Sequence, residues 1–299
     1  MKLAFYDDFR LGVVQGNHIV DMPEVVENQS DLKPSELINY IIANFQRYEN
    51  LIKTSAETGN PIPIANIKFR SPLPKPGKIV CMAINYLEGG PESKIPPING
   101  FLKSSNSVAG DGDTVKLPPA NASIFEHEAE LGVVIGKTAS NVGQSSAYDY
   151  VFGYMNVVDI SARDLGNPPY DSYFPIKSWS NFAPMGPYLV TRDEISNPQD
   201  INVKLWVNNK LNQNFNTSSM AHKIAECIEW VSSITTLDPG DVIATGTNHL
   251  DLGPLQDSDI VEMETEGLGR IHFKIIDPLK RGWPRETRAE KAAREGGGN

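Results

Sequence analysis

The sequence predicts an α+β, mainly β, protein with a small N-terminal α/β domain ahead of a larger one. Three observations carry this. Short β-prone runs recur between turn signals, and the chain holds 24 glycines and 22 prolines. Only two long segments show the three-to-four spacing of an amphipathic helix. Strands and helices do not alternate regularly, which argues against a TIM barrel or a Rossmann sheet.

The first elements are the runs Leu3-Ala4-Phe5-Tyr6, Leu11-Gly12-Val13-Val14 and His18-Ile19-Val20, separated by Asp7-Asp8 and Gly16-Asn17, a small meander. Leu37, Ile38, Ile41, Ile42, Phe45, Tyr48, Leu51 and Ile52 then share one helical face, closed by Gly59-Asn60-Pro61. The Pro-rich stretch that follows cannot be a central strand, so it divides an N-terminal domain, 1–73, from a main domain, 74–279. In the main domain, Ile79–Ile84, Glu128–Ile135 and Tyr150–Ile160 read as strands. Ile201–Val207 runs into Asn208-Asn209, a hairpin signal, and Val261–Thr265 turns through Glu266-Gly267-Leu268-Gly269 into Ile271–Ile275. One long helix places Met220, Ile224, Cys227, Ile228, Val231 and Ile234 on a single face. Residues 280–299 form an Ala- and charge-rich extension expected to be helix-prone and solvated.

Composition excludes several classes of function. A hydrophobic fraction of 40%, a charged fraction of 21% and a mean hydropathy of −0.31 describe a globular chain. Its net charge of −10 argues against a nucleic-acid partner. Cys81 and Cys227 are far apart and in no ligand spacing, so no disulfide framework or zinc ribbon is expected. No apolar run approaches transmembrane length, and the first residues lack the apolar core of a signal peptide. The expected setting is the cytoplasm, with no membrane partner.

The most informative segment is Phe125-Glu126-His127-Glu128-Ala129-Glu130 followed by the apolar run Leu131–Ile135. On a strand the three glutamates share one face. They repel one another unless a proton or cation lies between them, and oxygen donors suit Mg²⁺, Mn²⁺ or Ca²⁺. An exposed acidic strand end is the alternative. Asp159 sits inside the apolar run Val157-Val158-Asp159-Ile160, where an aspartate needs a partner. That partner is either the same cation or Arg163 in a structural ion pair.

These blocks resemble the fumarylacetoacetate hydrolase family. Glu126-x-Glu128-x-Glu130-Leu131 is similar to its acidic strand, and Asp159-x-Ser161-Ala162-Arg163-Asp164 to the segment bearing its third ligand. Lys177-Ser178 with Phe182–Pro187 is similar to its lysine loop, and Leu237-x-Pro239-Gly240-Asp241 through Thr245-Gly246-Thr247 to its threonine loop. Asn85-Tyr86 and Phe101-x-Lys103 also match, and the blocks keep the family's order across 78–275. The resemblance implies a mixed β-sheet roll, usually a homodimer. It implies a divalent metal, Mg²⁺ or Mn²⁺ with Ca²⁺ as an alternative, on Glu128, Glu130 and Asp159, with Glu126 an acidic neighbour. It implies that Tyr86, Arg163, Lys177 and Thr247 contact a small carboxylate substrate.

The sequence departs from the family's pattern at the lid. Gly89 stands where the family's hydrolases carry a histidine, whereas the glutamate three residues on is kept as Glu92. Ser180 and Gly166 replace an aspartate and a glutamine, and no proline follows Thr247. His18, His127, His222 and His272 read as structural or surface residues, His127 by alternation away from the glutamates. His249, just after the threonine loop at the expected pocket, reads as catalytic or substrate-binding, with a plain loop position as the alternative. The catalytic set expected is therefore Glu92, Lys177 and His249, with Glu92 the favoured base on a mobile lid over Asn85–Phe101. The implied activity is metal-dependent chemistry on a 2-oxo or 1,3-dicarbonyl acid, with C–C bond hydrolysis of the acylpyruvase type ahead. The alternatives are decarboxylation, dehydration or tautomerisation through the same enolate, or a non-catalytic acid binder.

Overall fold

The computed structural model describes residues 1–22, 24–90, 92–165 and 172–296. The departure at Gly166 and the Pro91 of the lid lie outside the described residues. Three layers make up the molecule. A long sheet runs, in spatial order, through Pro61–Pro63, His18–Asp21, Arg10–Gln15, Lys2–Tyr6, Ala183–Thr191, Val151–Val158, Ala129–Ile135, Val242–Ala244, Ile79–Met82 and Gly100–Lys103. Neighbours along this path are antiparallel except Val242–Ala244 against Ile79–Met82. A second sheet orders Lys210–Asn216, Asn202–Val207, Ile260–Thr265, Arg270–Ile276 and Thr114–Lys116.

Alternation explains how the layers meet. In Ala129–Ile135 every residue is buried. Leu131, Val133 and Ile135 face the second sheet, packing with Val203, Leu205, Val261, Met263, Ile271 and Phe273. Val134 turns to the other face, into the cluster built by Leu37, Ile38, Ile41, Ile42 and Ile52 of the N-terminal helices. The strand is covered on both sides, which is why it reads as a near-continuous apolar run.

The predicted strands and hairpins are present. Asn208 and Asn209 both take positive φ (52° and 65°), the geometry a two-residue hairpin turn requires. The first helical face is shared by two helices, Pro34–Ala43 and Phe45–Thr58, interrupted at Asn44, whose side-chain amide donates to Tyr40 O at 2.9 Å. The boundary drawn at residue 73 does not interrupt the sheet: Lys2–Tyr6 pairs directly with Ala183–Thr191. The segment Phe182–Pro187, matched by resemblance to a lysine loop, instead enters this nine-residue strand, which carries Pro184 and Pro187. Its pairing with Val151–Val158 shifts register opposite Gly186-Pro187, which accommodates them.

The extension is also more structured than expected. Arg281 donates to Asp277 Oδ2 (2.9 Å), Ala120 O (2.6 Å) and Pro118 O (2.8 Å), and the Trp283 indole donates to Ser123 O. A helix spans Arg288–Gly296. Among the described residues, no helix is long and apolar enough to cross a membrane.

Candidate metal and active site

The buried end of the acidic strand meets the end of Val151–Val158 at the centre of the long sheet. Ala129 lies opposite Val158, and Asp159 N donates to Glu128 O at 2.9 Å. This register brings together one carboxylate oxygen from each of Glu128, Glu130 and Asp159, all within 4.8 Å of one another. All three residues are buried. Such a cluster is tolerable only if cations compensate it.

Two lysines and an arginine compensate part of it. Lys177 Nζ bridges Glu128 Oε2 (2.8 Å) and Asp159 Oδ2 (2.6 Å), and Lys103 Nζ meets Asp159 Oδ1 at 2.6 Å. Arg163 spans two glutamates, Nε to Glu126 Oε2 at 2.6 Å and Nη2 to Glu128 Oε1 at 2.5 Å. Ser161 Oγ adds a bond to Glu128 Oε1 at 2.7 Å. Burial opposes ionisation of Glu128, but the charges of Lys177 and Arg163 outweigh it and hold the carboxyl well below its ordinary range. The same balance, with burial outweighed by Asp159 and Glu128, raises the Lys177 ammonium above the usual lysine range.

Glu130 is different. Its Oε2 accepts only the backbone N–H of Gly246, at 2.7 Å, and among the described residues it has no salt-bridge partner. Burial first, then repulsion from Asp159 and Glu128, pushes its carboxyl well above the usual range. A buried carboxylate one counter-charge short, in an all-oxygen donor set, is what a hard divalent cation fits. Gly246 is needed here: its φ is +85°, and a Cβ would meet Asn85 Cβ at 2.9 Å.

A cavity of about 370 Å³ opens beside this cluster and is lined by Glu128, Arg163, Lys177, Thr247, His249 and Glu88 among others. Thr247 Oγ1 accepts from Gln213 Nε2 at 2.8 Å, which leaves its hydroxyl proton free to donate into the cavity. Gln213 Oε1 in turn faces His127 Nδ1 at 3.0 Å, so His127 points away from the carboxylates. His249 Nδ1 lies 2.7 Å from Glu88 Oε1, and its backbone N–H donates to the same oxygen at 2.8 Å. These bonds, opposed by burial, hold Glu88 below the usual carboxylate range. An ionised carboxylate only accepts, so the His249 Nδ1 carries a proton toward Glu88.

The expected site residues distribute unevenly. Glu128, Glu130, Asp159, Arg163, Lys177, Thr247 and His249 come together. Lys177 is not a loop residue but the buried last residue of the short helix Tyr173–Lys177. Glu92 is exposed and outside the residues lining the cavity, whereas Glu88 of the same segment lines it. Tyr86 is buried in the core, edge-on to Phe215 at 4.9 Å, and does not line the cavity. Lys103 and Gln213, which were given no role, join the cluster. So does Arg288 of the extension, which lines the same cavity.

Fold and site together place three buried carboxylates that a hard cation would fit beside a cavity of about 370 Å³ lined by Arg163, Lys177 and Arg288. The fumarylacetoacetate (FAA) hydrolase C-terminal family matches residues 78–276, and the chain belongs to that family. It is 35% identical over 295 residues to a maleylpyruvate hydrolase of Aquipseudomonas alcaligenes, covering 92% of this chain and 99% of that one. It is 42% identical over 191 residues to the oxaloacetate tautomerase YisK of Bacillus subtilis, covering 62% of this chain and 63% of the relative. Its fold is similar to that of a maleylpyruvate hydrolase from Sphingobium sp. SYK-6 in complex with manganese(II) and pyruvate. That likeness has a TM-score of 0.84 and 31% identity, over 93% of this chain and 99% of the other.

Proposed function

We propose that this protein is a divalent-metal-dependent hydrolase that cleaves a C–C bond in an acylpyruvate-type 2-oxo acid. Glu128, Glu130 and Asp159 hold Mg²⁺ or Mn²⁺, with Ca²⁺ as the alternative, and the working form is a cytoplasmic homodimer. The observation that supports the reading is the His249–Glu88 pair in the same cavity as the carboxylate cluster, where His249 would act as the general base. It answers the loss of the lid histidine at Gly89. The likeness to a maleylpyruvate hydrolase over nearly the whole chain supports the same reaction class.

A divalent cation held by Glu128, Glu130 and Asp159 would supply Lewis-acid chemistry to a 2-oxo acid. The chain's residues do the rest. Arg163 and Lys177 face the substrate with two fixed positive charges. His249 Nε2 takes a proton from water as its oxygen adds to the acyl carbonyl, and Glu88 steadies the imidazolium that forms. The C–C bond breaks, and its electron pair enters the pyruvate fragment as an enolate, which Lys177 stabilises. The proton on His249 returns to the fragment's methylene carbon. One acylpyruvate and one water become one carboxylic acid and one pyruvate.

A second reading has its own observation. Gly89 cannot transfer a proton, and YisK is an oxaloacetate tautomerase. A tautomerase needs the same enolate without attacking water. The test is to give the metal-loaded protein an acylpyruvate and, separately, the enol of oxaloacetate. Stoichiometric pyruvate release supports the hydrolase. Enol-to-keto conversion without release of pyruvate from the acylpyruvate replaces it with the tautomerase.

A further inference from the structure

The extension beyond residue 276 lies outside the family-matched segment, yet it supplies a side chain to the cavity. Local chemistry explains how. Thr287-Arg288-Ala289-Glu290 forms a reciprocal cap: Glu290 Oε2 accepts from Thr287 N at 2.7 Å, and Thr287 Oγ1 accepts from Glu290 N at 3.2 Å. The first helical N–H groups then dock on the loop that follows His249, Arg288 N to Leu252 O at 2.9 Å and Ala289 N to Leu250 O at 2.7 Å. Lys210 Nζ meets Glu290 at 2.8 Å, and Arg285 meets Asp259 at 2.7 Å. The helix start is thus fastened from several sides, and Arg288 is its first residue.

The Arg288 guanidinium grips Glu126 with Nε to Oε1 at 2.9 Å and Nη2 to Oε2 at 2.5 Å. Arg163 grips the same carboxylate. The two guanidiniums share the Glu126 carboxylate, and Arg163 also holds Glu128. Arg288 Nη1 is engaged by none of the described residues. Both arginines line the cavity of the carboxylate cluster, and both line the adjoining groove of about 700 Å³ on its outer side. The order of contacts outward from the cluster is Glu128, Arg163, Glu126, Arg288.

We propose that Arg288 recognises a second carboxylate at the far end of the substrate, so that dicarboxylic acylpyruvates, rather than acylpyruvates with a neutral tail, are the preferred class. This rests on the 2-oxo acid reading above. The cation cluster takes the 2-oxo carboxylate end. Arg288 offers a planar donor to a carboxylate on the acyl side, a geometry for which arginine is better suited than lysine.

The test uses the full-length, Mn²⁺-loaded protein with Arg288→Gln and Arg288→Lys. The first readout is the ratio of kcat/KM for maleylpyruvate to that for acetylpyruvate. We expect Arg288→Gln to lower this ratio at least about tenfold, mainly through KM, the range for a charge-assisted hydrogen bond, and Arg288→Lys to recover part of it. The second readout needs no turnover: calorimetric affinities for oxalate and for 2-oxoglutarate, whose ratio should move the same way. Equal losses on both members of each pair would mean that Arg288 merely props Glu126, and an unchanged ratio would equally overturn the proposal. A wild-type protein that turns over neither acylpyruvate but whose 2-oxoglutarate preference depends on Arg288 would overturn the hydrolase and support the distal carboxylate site.

Discussion

Lys103 offers the sharpest test of how the carboxylate cluster is balanced. Its side chain is 0% exposed and that of Asp159 is 1% exposed, with 2.6 Å between charged atoms. Replacing it as Lys103→Met keeps the bulk and removes the charge. Asp159 then keeps Lys177 as its remaining salt-bridge partner, and Lys177 is shared with Glu128. Coulomb attraction at this distance is about 6 kcal/mol at an effective dielectric constant of 20. Desolvation offsets part of that, and breaking buried pairs costs about 3–5 kcal/mol in practice. For a chain of 299 residues, unfolding entropy is about 0.6 kcal/mol per degree, so the loss corresponds to a Tm about 5–8 °C lower. The assay is urea and thermal unfolding of both proteins in EDTA and again in excess Mn²⁺. A divalent cation supplies counter-charge to the same carboxylates, so the gap should narrow by about 1 kcal/mol or more when metal is present. A gap below about 1 kcal/mol in EDTA would show that the pair contributes little. A gap that widens with Mn²⁺ would show that Lys103 supports the cation rather than competing with it.

Four further outcomes follow from the same geometry. Adding metal at a hundredfold excess over Kd should stabilise the protein by about 2.7 kcal/mol, or about 4 °C. Glu130→Gln should remove that response and, because it replaces a buried carboxyl whose ionisation the site opposes, raise the stability of the metal-free form. His249→Ala should lower kcat on an acylpyruvate by about 10²-fold or more, Glu88→Gln by less, and Glu92→Gln hardly at all; the reverse ranking, read from initial rates, would return the base to Glu92. Burial lowers His127 to about 4, against 6.5 unfolded. Its folded form binds fewer protons, so its penalty is absent above about pH 6.5, grows as pH falls and levels near pH 4, reaching about 3 kcal/mol. Denaturation at pH 7 and pH 4.5 should show His127→Gln with a smaller loss than the wild type.

The legible parts of the site were those encoded in short range. Alternating glutamates running into Leu131–Ile135 announce carboxylates delivered to the end of a buried strand, and Asp159 between apolar residues announces a partner. What sequence could not order was depth. Glu88 and Glu92 are both carboxylates of one turn-rich segment, and only the fold shows which meets His249. Tyr86 carries an aromatic ring that the core absorbed beside Phe215. Lys177 looked like a loop cation, but Tyr173–Lys177 closes into a helical turn that buries it. The extension misled for the opposite reason. Its charges look solvated along the chain, whereas Arg288 meets a partner 162 residues away, a separation that no local pattern reports.

The division between rigid and peripheral parts of the site bears on how one fold yields several reactions. Glu128, Glu130 and Asp159 stand at the ends of strands buried on both faces, where a one-residue slip would turn every side chain over. On the proposed reading, stabilising an enolate would depend on those positions and so be tied to the core. The base and the distal arginine come from a turn-rich segment, the loop after Thr247 and the capped start of the last helix. Gly89 and Arg288 lie outside the hydrophobic core clusters, although Arg288 also pairs with the buried Glu126. Under that reading, exchanging Gly89 for a histidine, or Arg288 for a neutral residue, would alter water activation and acyl-group recognition at the periphery of the site. On the proposed reading, loss of the lid histidine leaves proton transfer to His249 and Glu88 across the same cavity, with the carboxylate cluster at the sheet end unchanged.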